Sequence, residues 1–512
     1  MAEGCSLHSS QGRWVLLGTL LASSAAFIMG TAVVIILPTI QKDFNTSISG
    51  IQWVVNAHLL TLSALLLLGG AFGDRFGRKK IFILGIGVFI TGAVLSGISG
   101  TIVQLISFQA LQGAGAALMI PQSLAIINVC FKKEERGRAV GLWAGLSGGI
   151  AALGPYISGW LVEAVSWRAV FFMTVPVSIL ALLVTAIFIP AIKESRGRKL
   201  DWLGTFFILA GLFGLVFGLV YGPDFGWNRP LTIGSLICGF ISLVLFVFIE
   251  KRVRRPLVPL RIFKNTVVAG ANTVTLVLYF SLNGVIFFLT LNLQQIQGFS
   301  PKEAGLGLLP PIVLITLLSV PSGALADKIG PRLPMTAGPV IVAAGMFWLA
   351  LGGTDADYMK DFFPGLFLFG CGMALVIPPL VKSALNVEAE DSGTASGINN
   401  AASRVAGLLA IAVLGAVVVS AFTTSLNDRI HTADLSSQKQ QEILSQSDKL
   451  GGVEIPRRFN EKERRAAERI INKSYAYGFR MAMLISAGLA VLGGAVSVFT
   501  IPNRLKEEGS SS

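Results

Sequence analysis

The chain has 512 residues, 53% of them hydrophobic and only 13% charged, with a mean hydropathy of +0.70 and a formal net charge of +13. A soluble domain carries about 25% charged residues, so a soluble globular fold is excluded. Nucleic-acid binding is a poor account of the positive excess, because no basic cluster belongs to a soluble domain. Apolar runs long enough to span a bilayer, roughly 20 residues, recur from end to end. In chain order they cover 14–37, 51–72, 81–100, 102–129, 139–162, 169–192, 203–222, 231–249, 266–291, 306–326, 334–352, 362–382, 393–422 and 478–501, fourteen in all. They are too long for membrane-barrel strands and lack period-two alternation. Helices are the other way to satisfy a backbone in lipid, so an all-α membrane protein is predicted. The first run is 24 residues long and follows a single basic residue, Arg13. A secretory signal has an apolar core of about 7–15 residues, so this run is read as a retained first helix.

Basic residues set the expected orientation. Connectors 73–80, 131–138, 193–200 and 250–264 carry Arg75, Arg78, Lys79 and Lys80, then Lys132, Lys133, Arg136 and Arg138, then Lys193, Arg196, Arg198 and Lys199, then Lys251, Arg252, Arg254, Arg255, Arg261 and Lys264. The alternate connectors hold one or none. The basic set is expected on the cytoplasmic side, with both termini there because the helix number is even. The long connector 423–477 is an exception with ten basic residues. Long loops translocate largely regardless of charge, so it does not reverse the assignment. Surplus basic residues at the membrane face also suit anionic lipid headgroups.

Cys5, Cys130, Cys238 and Cys371 are scattered and have neither metal-ligand spacing nor a disulfide framework. There is no nucleotide-binding loop and no His-rich or acidic metal cluster. No cofactor, no metal and no enzymatic activity are expected.

One motif occurs twice. Gly70-Ala71-Phe72-Gly73-Asp74-Arg75-Phe76-Gly77-Arg78-Lys79 recurs as Gly323-Ala324-Leu325-Ala326-Asp327-Lys328-Ile329-Gly330-Pro331-Arg332, each copy between two apolar runs. A duplicated helix–loop–helix unit implies two similar halves, the architecture of carriers that rock one half against the other. Gly70 and Gly73 would let two helices approach closely. Asp74 could face a helix N-terminus, and Arg75, Arg78 and Lys79 could pair across the seam between halves. The motif resembles the signature loop of the major facilitator superfamily. With fourteen helices the chain is similar to its drug-efflux, drug:proton antiporter-like branch. Further matches are Gln52-Trp53-Val54-Val55-Asn56-Ala57, Trp167-Arg168-Ala169-Val170-Phe171-Phe172 and Asp201-Trp202-Leu203-Gly204. Eight helix steps separate the two motif copies where plain duplication would give six, so the seventh and eighth helices are an insertion. The resemblance implies a cytoplasmic N-terminus (1–13), a six-helix half (14–192), the two inserted helices (193–265), a second six-helix half (266–501) with the outer loop 423–477, and a cytoplasmic tail (502–512). It also implies that the motif residues Gly70, Gly73, Asp74, Arg75, Gly77, Arg78, Asp327, Lys328, Gly330 and Arg332 gate the conformational change.

In the fifth helix Gly141, Gly145 and Gly149 form a small-residue stripe, followed by Gly154-Pro155-Tyr156-Ile157-Ser158-Gly159. The run is similar to the glycine–proline motif of antiporters in the superfamily, with Ser158 where the first of two glycines is usual. The stripe is expected to pack the helix tightly on its partner, and Pro155 to kink it.

Departures from the family pattern bear on coupling. The first helix reads Met29-Gly30-Thr31-Ala32-Val33-Val34-Ile35-Ile36-Leu37-Pro38, with Met29 where relatives carry Asp and Val34 where they carry Asn. In the fourth, Gln109 replaces an Arg ahead of Gln112-Gly113-Ala114-Gly115. A proton-exchanging pump needs a group that gains and loses a proton, which leaves His58. A neutral His58 satisfied by Asn56 or a carbonyl is the plainer alternative. Arg404 lies about 18 Å along the thirteenth helix, too deep to snorkel easily, and an intramembrane charge points to function by default. Lys382, nearer a helix end, is expected to snorkel. The candidate coupling or substrate residues are therefore His58, Gln109, Gln112, Asn283, Asn399, Asn400 and Arg404. Asn292, Gln294 and Gln295 add amides, and Tyr279, Phe287 and Phe288 add aromatic faces. A cavity with Arg404 and His58 but no carboxylate should prefer neutral or anionic amphiphiles to cations.

The expected function is secondary active export of small amphiphilic molecules or drugs by alternating access. A proton or another coupling ion and membrane lipid are the implied partners, and the chain is expected to be a monomer in a bacterial plasma membrane. The alternative is an uncoupled facilitator or an uptake carrier of a small polar solute. A lid role is open for the 423–477 loop, whose Asn460–Ile471 stretch has helical charge spacing. The tail Glu507–Ser512 is expected to be disordered.

Overall fold

The computed structural model describes residues 5–190, 200–253, 256–388, 391–433 and 435–504. The basic residues Lys193, Arg196, Arg198, Lys199, Arg254 and Arg255 and the tail 507–512 lie outside the described residues. Among the described residues, fourteen helices are long and apolar enough to cross a membrane. They are α1 (Ser10–Asp43), α2 (Ile48–Phe76), α3 (Arg78–Gly97), α4 (Ile102–Cys130), α5 (Glu134–Ala164), α6 (Trp167–Phe188), α7 (Trp202–Phe225), α8 (Pro230–Arg252), α9 (Thr266–Ile296), α10 (Pro301–Ile329), α11 (Arg332–Ala350), α12 (Tyr358–Ala384), α13 (Ser392–Ile430) and α14 (Glu461–Thr500). Each corresponds to one apolar run of the sequence. Several extend beyond the run, because a polar cap rather than the last apolar residue ends a helix. Ser9, Ser47, Thr101 and Asn265 cap α1, α2, α4 and α9. Ser300 with Glu303 and Asn460 with Glu463 form capping boxes at α10 and α14. The 423–477 connector is shorter than its apolar edges suggested, since α13 runs to Ile430 and α14 starts at Glu461.

The N-terminal segment is tied to the end of α4. Cys5 forms an isolated β-bridge with Phe131, and the Glu135 carboxylate accepts the Leu7 amide at 2.7 Å. The C-terminal Asn503 packs on Gly330 in the second motif copy. The first and last described segments, at Cys5 and Asn503, and both motif loops thus share one face, here the terminal face. The connector after α13 lies on the opposite, loop face.

Helix pairs pack through small residues, as expected where lipid offers no hydrophobic drive to association. Gly92 and Gly115 bring α3 onto α4, and Gly345 and Gly365 do the same for α11 and α12 at the equivalent place in the other half. The inserted helices α7 and α8 pair through Gly214 and Gly239. Trp53 of α2 lies against Phe213, Phe217 and Tyr221 of α7. α7 also packs on α13, so the insertion lies over the line where α2 of one half meets α13 of the other. The outward side of α8, with Ile237, Phe240 and Val244, is exposed and apolar as a lipid-facing surface must be.

Candidate functional site: the seam between the two halves

The motif loops anchor within their own halves. Gly77 and Gly330 have φ of +98° and +85°, a conformation that glycine adopts without a side-chain penalty. Each lets one helix end and the next begin at once. Arg78 pairs with Asp74 at 3.1 Å and donates to the Ala125 carbonyl on α4 at 2.8 Å, while Lys79 donates to the Ala186 carbonyl on α6 at 2.9 Å. Arg75 lies over Phe76. The expectation that Arg78 and Lys79 pair across the seam is therefore corrected, because these bonds close between neighbouring helices of one half. In the second copy Asp327 pairs with Lys382 of α12 at 2.7 Å, both side chains being 62% exposed. Lys382 thus reaches an acidic partner rather than only snorkelling. Lys328 is exposed and Arg332 opens α11 half-buried. The close-approach glycines are Gly69 and Gly73, where an added Cβ would press on the Ala117 backbone and the Gln122 side chain of α4. Gly70 is corrected: its Cβ would have ordinary room, 3.8 Å from Pro121.

α5 is broken at Leu153, just before Pro155, whose ring cannot continue the hydrogen-bond ladder. The two segments behave oppositely. Beyond the break, Gly154 packs on Thr31 of α1, and Ser158 donates to the Ala32 carbonyl at 2.8 Å. Gly159 packs on the Pro301–Lys302 backbone of α10, Gly305 packs in return on Pro155, and Glu163 accepts the Lys302 amide at 3.0 Å. Before the break, Gly141, Gly145 and Gly149 have open space where a Cβ would point. The expected tight packing of this stripe is corrected, because α5 and α10 meet on the loop face and separate towards the terminal face.

Other contacts close the loop face. Gln294 donates to the Ile35 carbonyl at 2.9 Å, and Gln295 to Gln41 at 2.7 Å. The Ser447–Gly452 turn of the long loop lies against both halves. Gln41 donates to the Lys449 carbonyl at 3.2 Å, Lys449 donates to Asn45 at 2.6 Å, and Gly451 packs on Gln295 and Ile296. Within the turn, Leu450 is buried at φ +53°, a costly conformation for a branched residue. The loop thus lies over the loop-face mouth.

Between the closed loop face and the parted helices lies Arg404. Its guanidinium sits 5.6 Å from the ring centre of Phe27 on α1, so a cation of one half meets an aromatic face of the other. His58 and Tyr279 are its electrostatic neighbours. Among the described residues no carboxylate pairs with Arg404. His58 Nδ1 has no hydrogen-bond partner, and neither does either amide atom of the buried Asn56, so Asn56 does not satisfy His58. Gly30 on α1 is exposed with open space beside it, whereas Met29 is 1% exposed.

The remaining candidates spread out. Gln109 donates to Ser96 of α3 and to Gln112, so these amides fill the α3–α4 contact. Asn399 bonds Asn272 and Thr275 of α9 as helix glue, and Asn400 bonds its own Ser396 carbonyl. Asn283 bonds the Tyr279 carbonyl and packs against Gly407 of α13. Phe287 and Phe288 are fully buried and offer no face to a cavity, which corrects that expectation. Phe27 was missed. Its signal is a place two residues before Met29, on the helix where relatives carry polar groups.

The chain matches the model of the Major Facilitator Superfamily over residues 19–411. It is 31% identical to the "Tetracenomycin C resistance and export protein" of Streptomyces glaucescens, across 94% of this chain and 91% of that one. It is 34% identical to the "Puromycin resistance protein pur8" of Streptomyces alboniger, across 81% of this chain and 84% of the relative. Among solved structures, a bacterial homologue of the human lysosomal transporter Spinster has the same fold, with a TM-score of 0.66 at 18% identity, covering 98% of this chain and 100% of that one. Sequence match, duplicated loop and fourteen-helix architecture agree, and the chain belongs to the major facilitator superfamily.

Proposed function

We propose that the protein is a secondary carrier that exports small neutral or anionic amphiphiles by alternating access, and that it does no covalent chemistry on them. The reading places the terminal face in the cytoplasm of a bacterial cell, on the strength of the basic residues around Arg75–Lys80 and Lys132–Arg138. The arrangement seen is then the inward-facing one, with α5 and α10 parted towards the cytoplasm. The observation that carries the substrate class is Arg404, a cation about a third of the way along α13 with no carboxylate partner among the described residues, set over Phe27. An unpaired, half-buried cation deep in a membrane-spanning helix is costly and recruits an anion or a strong acceptor. The aromatic face beside it suits the apolar part of an amphiphile. One chain suffices, because both sides of the seam come from its own halves. The resistance and export relatives support the direction of transport.

The test is uptake of one cationic, one neutral and one anionic fluorescent amphiphile into everted vesicles, with and without an imposed pH gradient. Uptake of the anionic and neutral probes, reduced in Arg404→Gln, is expected. Uptake of the cationic probe alone, unaffected by Arg404→Gln, would refute the substrate class. The apolar Met29 and the helix-bound Gln109 favour a second reading, an uncoupled facilitator. Flux that persists at full rate after every ion gradient is collapsed would establish it.

A further inference from the structure

The central seam offers His58 but no carboxyl group. Two buried carboxyl groups lie elsewhere, at the base of the inserted pair. Asp201 precedes α7 and is 7% exposed, and Glu250 ends α8 and is 3% exposed. Each uses one oxygen structurally. Asp201 Oδ1 accepts the Gly204 amide at 2.8 Å, capping α7, and Glu250 Oε2 accepts the Val258 amide at 3.2 Å. The other oxygen of each, Asp201 Oδ2 and Glu250 Oε1, is buried with no partner. Both point at the same place. A Cβ on Gly204 would lie 2.6 Å from Asp201 Oδ2 and 3.0 Å from Glu250 Oε1. The two free oxygens are therefore within about 6 Å of each other, a range in which one carboxylate opposes ionisation of the next.

The surroundings supply no compensating cation among the described residues. Lys251 and Arg252, which follow Glu250, are exposed, and Arg252 lies over Phe248. From α2, which meets α7 through Phe72 and Trp202, Arg75 is turned over Phe76. From the connector into α9, Arg261 is paired with Asp391. Two buried carboxylates with orphaned oxygens and no counter-ion among the described residues cost several kcal/mol. A single proton on the pair removes one of the two opposing charges.

We propose that Asp201 and Glu250 bind one proton between them at neutral pH, forming a proton-binding site in the insertion, outside the central seam. The site is connected to the moving parts. Glu250 holds the Val258 amide, and Leu257 and Val258 line a cavity of about 180 Å³ with Ser63 and Leu67 of α2 and Ile398 of α13. When the proton leaves, two like charges face each other and the hold of Glu250 on the connector into the second half is altered. A side chain at position 204 would displace both carboxyl groups, since an added Cβ meets an oxygen of each.

The inference does not rest on the substrate reading, and its test needs no substrate. Infrared difference spectra of the purified full-length carrier, titrated from neutral to alkaline pH, would report the stretch of a protonated carboxyl group. The wild-type protein should show such a band at neutral pH and lose it on alkalinisation. Carbon-13 labelling of aspartate or glutamate carboxyls should shift it. Glu250→Gln and Asp201→Asn should each abolish it, because either change removes the like charge that keeps the proton in place. Asn also retains the cap on α7. A wild-type protein without the band, or a band that survives in both variants, would overturn the proposal. Absence of the band in the wild-type protein overturns the proposal even if neither variant folds.

Discussion

Gly159→Ala isolates the loop-face closure. The new Cβ would lie 2.6 Å from the Lys302 Cα and closer still to the Pro301 carbonyl oxygen. Both atoms are backbone of α10 in the other half, so no rotamer change relieves the contact. Overpacking of this kind costs about 1–3 kcal/mol. The contact exists only while the loop face is closed, so the cost falls on that state and shifts the ratio of the two states about 5–150-fold towards loop-face opening. The reverse side has its own control. Gly149 has open space where its Cβ would point, so Gly149→Ala adds no clash to the present state. The assay is the distance distribution between spin labels at Val165 and Met359, exposed positions at the loop-face ends of α5 and α12, with the four native cysteines replaced by serine. Gly159→Ala should enrich the longer distance by that factor, and so should Gly305→Ala, which strikes the Pro155 backbone from the other half. Gly149→Ala should not. Equal enrichment in Gly149→Ala, or none in both Gly159→Ala and Gly305→Ala, would refute the assignment of α5 and α10 as the closing elements.

Arg404→Gln should weaken binding of an anionic amphiphile by about 10–100-fold, the loss of one charge-assisted contact of about 1.5–3 kcal/mol, while binding of a neutral probe changes less. Calorimetric titration of the purified protein measures both. Lys449→Ala removes the bond to Asn45 and should loosen the Ser447–Gly452 turn by about 0.5–1.5 kcal/mol, seen as faster hydrogen exchange over 447–453 with no change in the melting temperature of the whole protein. Arg78→Ala loses both Asp74 and the Ala125 carbonyl from a side chain only 26% exposed, and should destabilise by about 1.5–3 kcal/mol. Lys382→Ala removes an ion pair whose partners are 62% exposed and should cost no more than about 1 kcal/mol. Thermal melts in detergent should preserve that order.

What could be read before the structure is what local pattern encodes. The length of each apolar run gives a span, and fourteen runs became fourteen helices. Gly77 and Gly330 occupy the same place in two copies of one motif, and both have positive φ. The face that a helix turns to its neighbour is not local. Gly69, Gly70 and Gly73 are indistinguishable as letters, yet Gly69 and Gly73 meet α4 at close quarters while Gly70 has room. Phe287 and Phe288 were candidates for a cavity wall because they are aromatic and adjacent, but both are fully buried. The glycine stripe of α5 reads as a packing seam in any conformation, whereas a carrier uses such a seam in only one of its states. Asp201 was visible as part of a family match. Glu250 was hidden because an acid beside Lys251 and Arg252 looks like part of a solvated helix end. Only the fold of α8 back onto α7 buries it against Gly204.

The insertion makes the two sides of the carrier unequal, and that bears on how a gradient could act. Along one line between the halves, α2 meets α13 under the cover of α7, with Trp53 held among Phe213, Phe217 and Tyr221. Along the other, α5 and α10 touch at Gly159 and Gly305 and then part, with the Gly141, Gly145 and Gly149 stripe facing open space. On the proposed alternating-access reading, a rocking motion would open and close α5 against α10 and shear α2 against α13 beneath α7. Shear at a covered line is felt by whatever ties the cover to the moving half. That tie is the connector from α8 to α9, and its amide at Val258 is held by Glu250. Met29 on α1 is apolar and buried, and the amide of Gln109 is spent within the α3–α4 contact. The proton proposed for the Asp201–Glu250 pair would lie where such a motion loads the chain. On the proposal that Asp201 and Glu250 share a proton, a proton gradient would act on this carrier through the insertion rather than through the first helix.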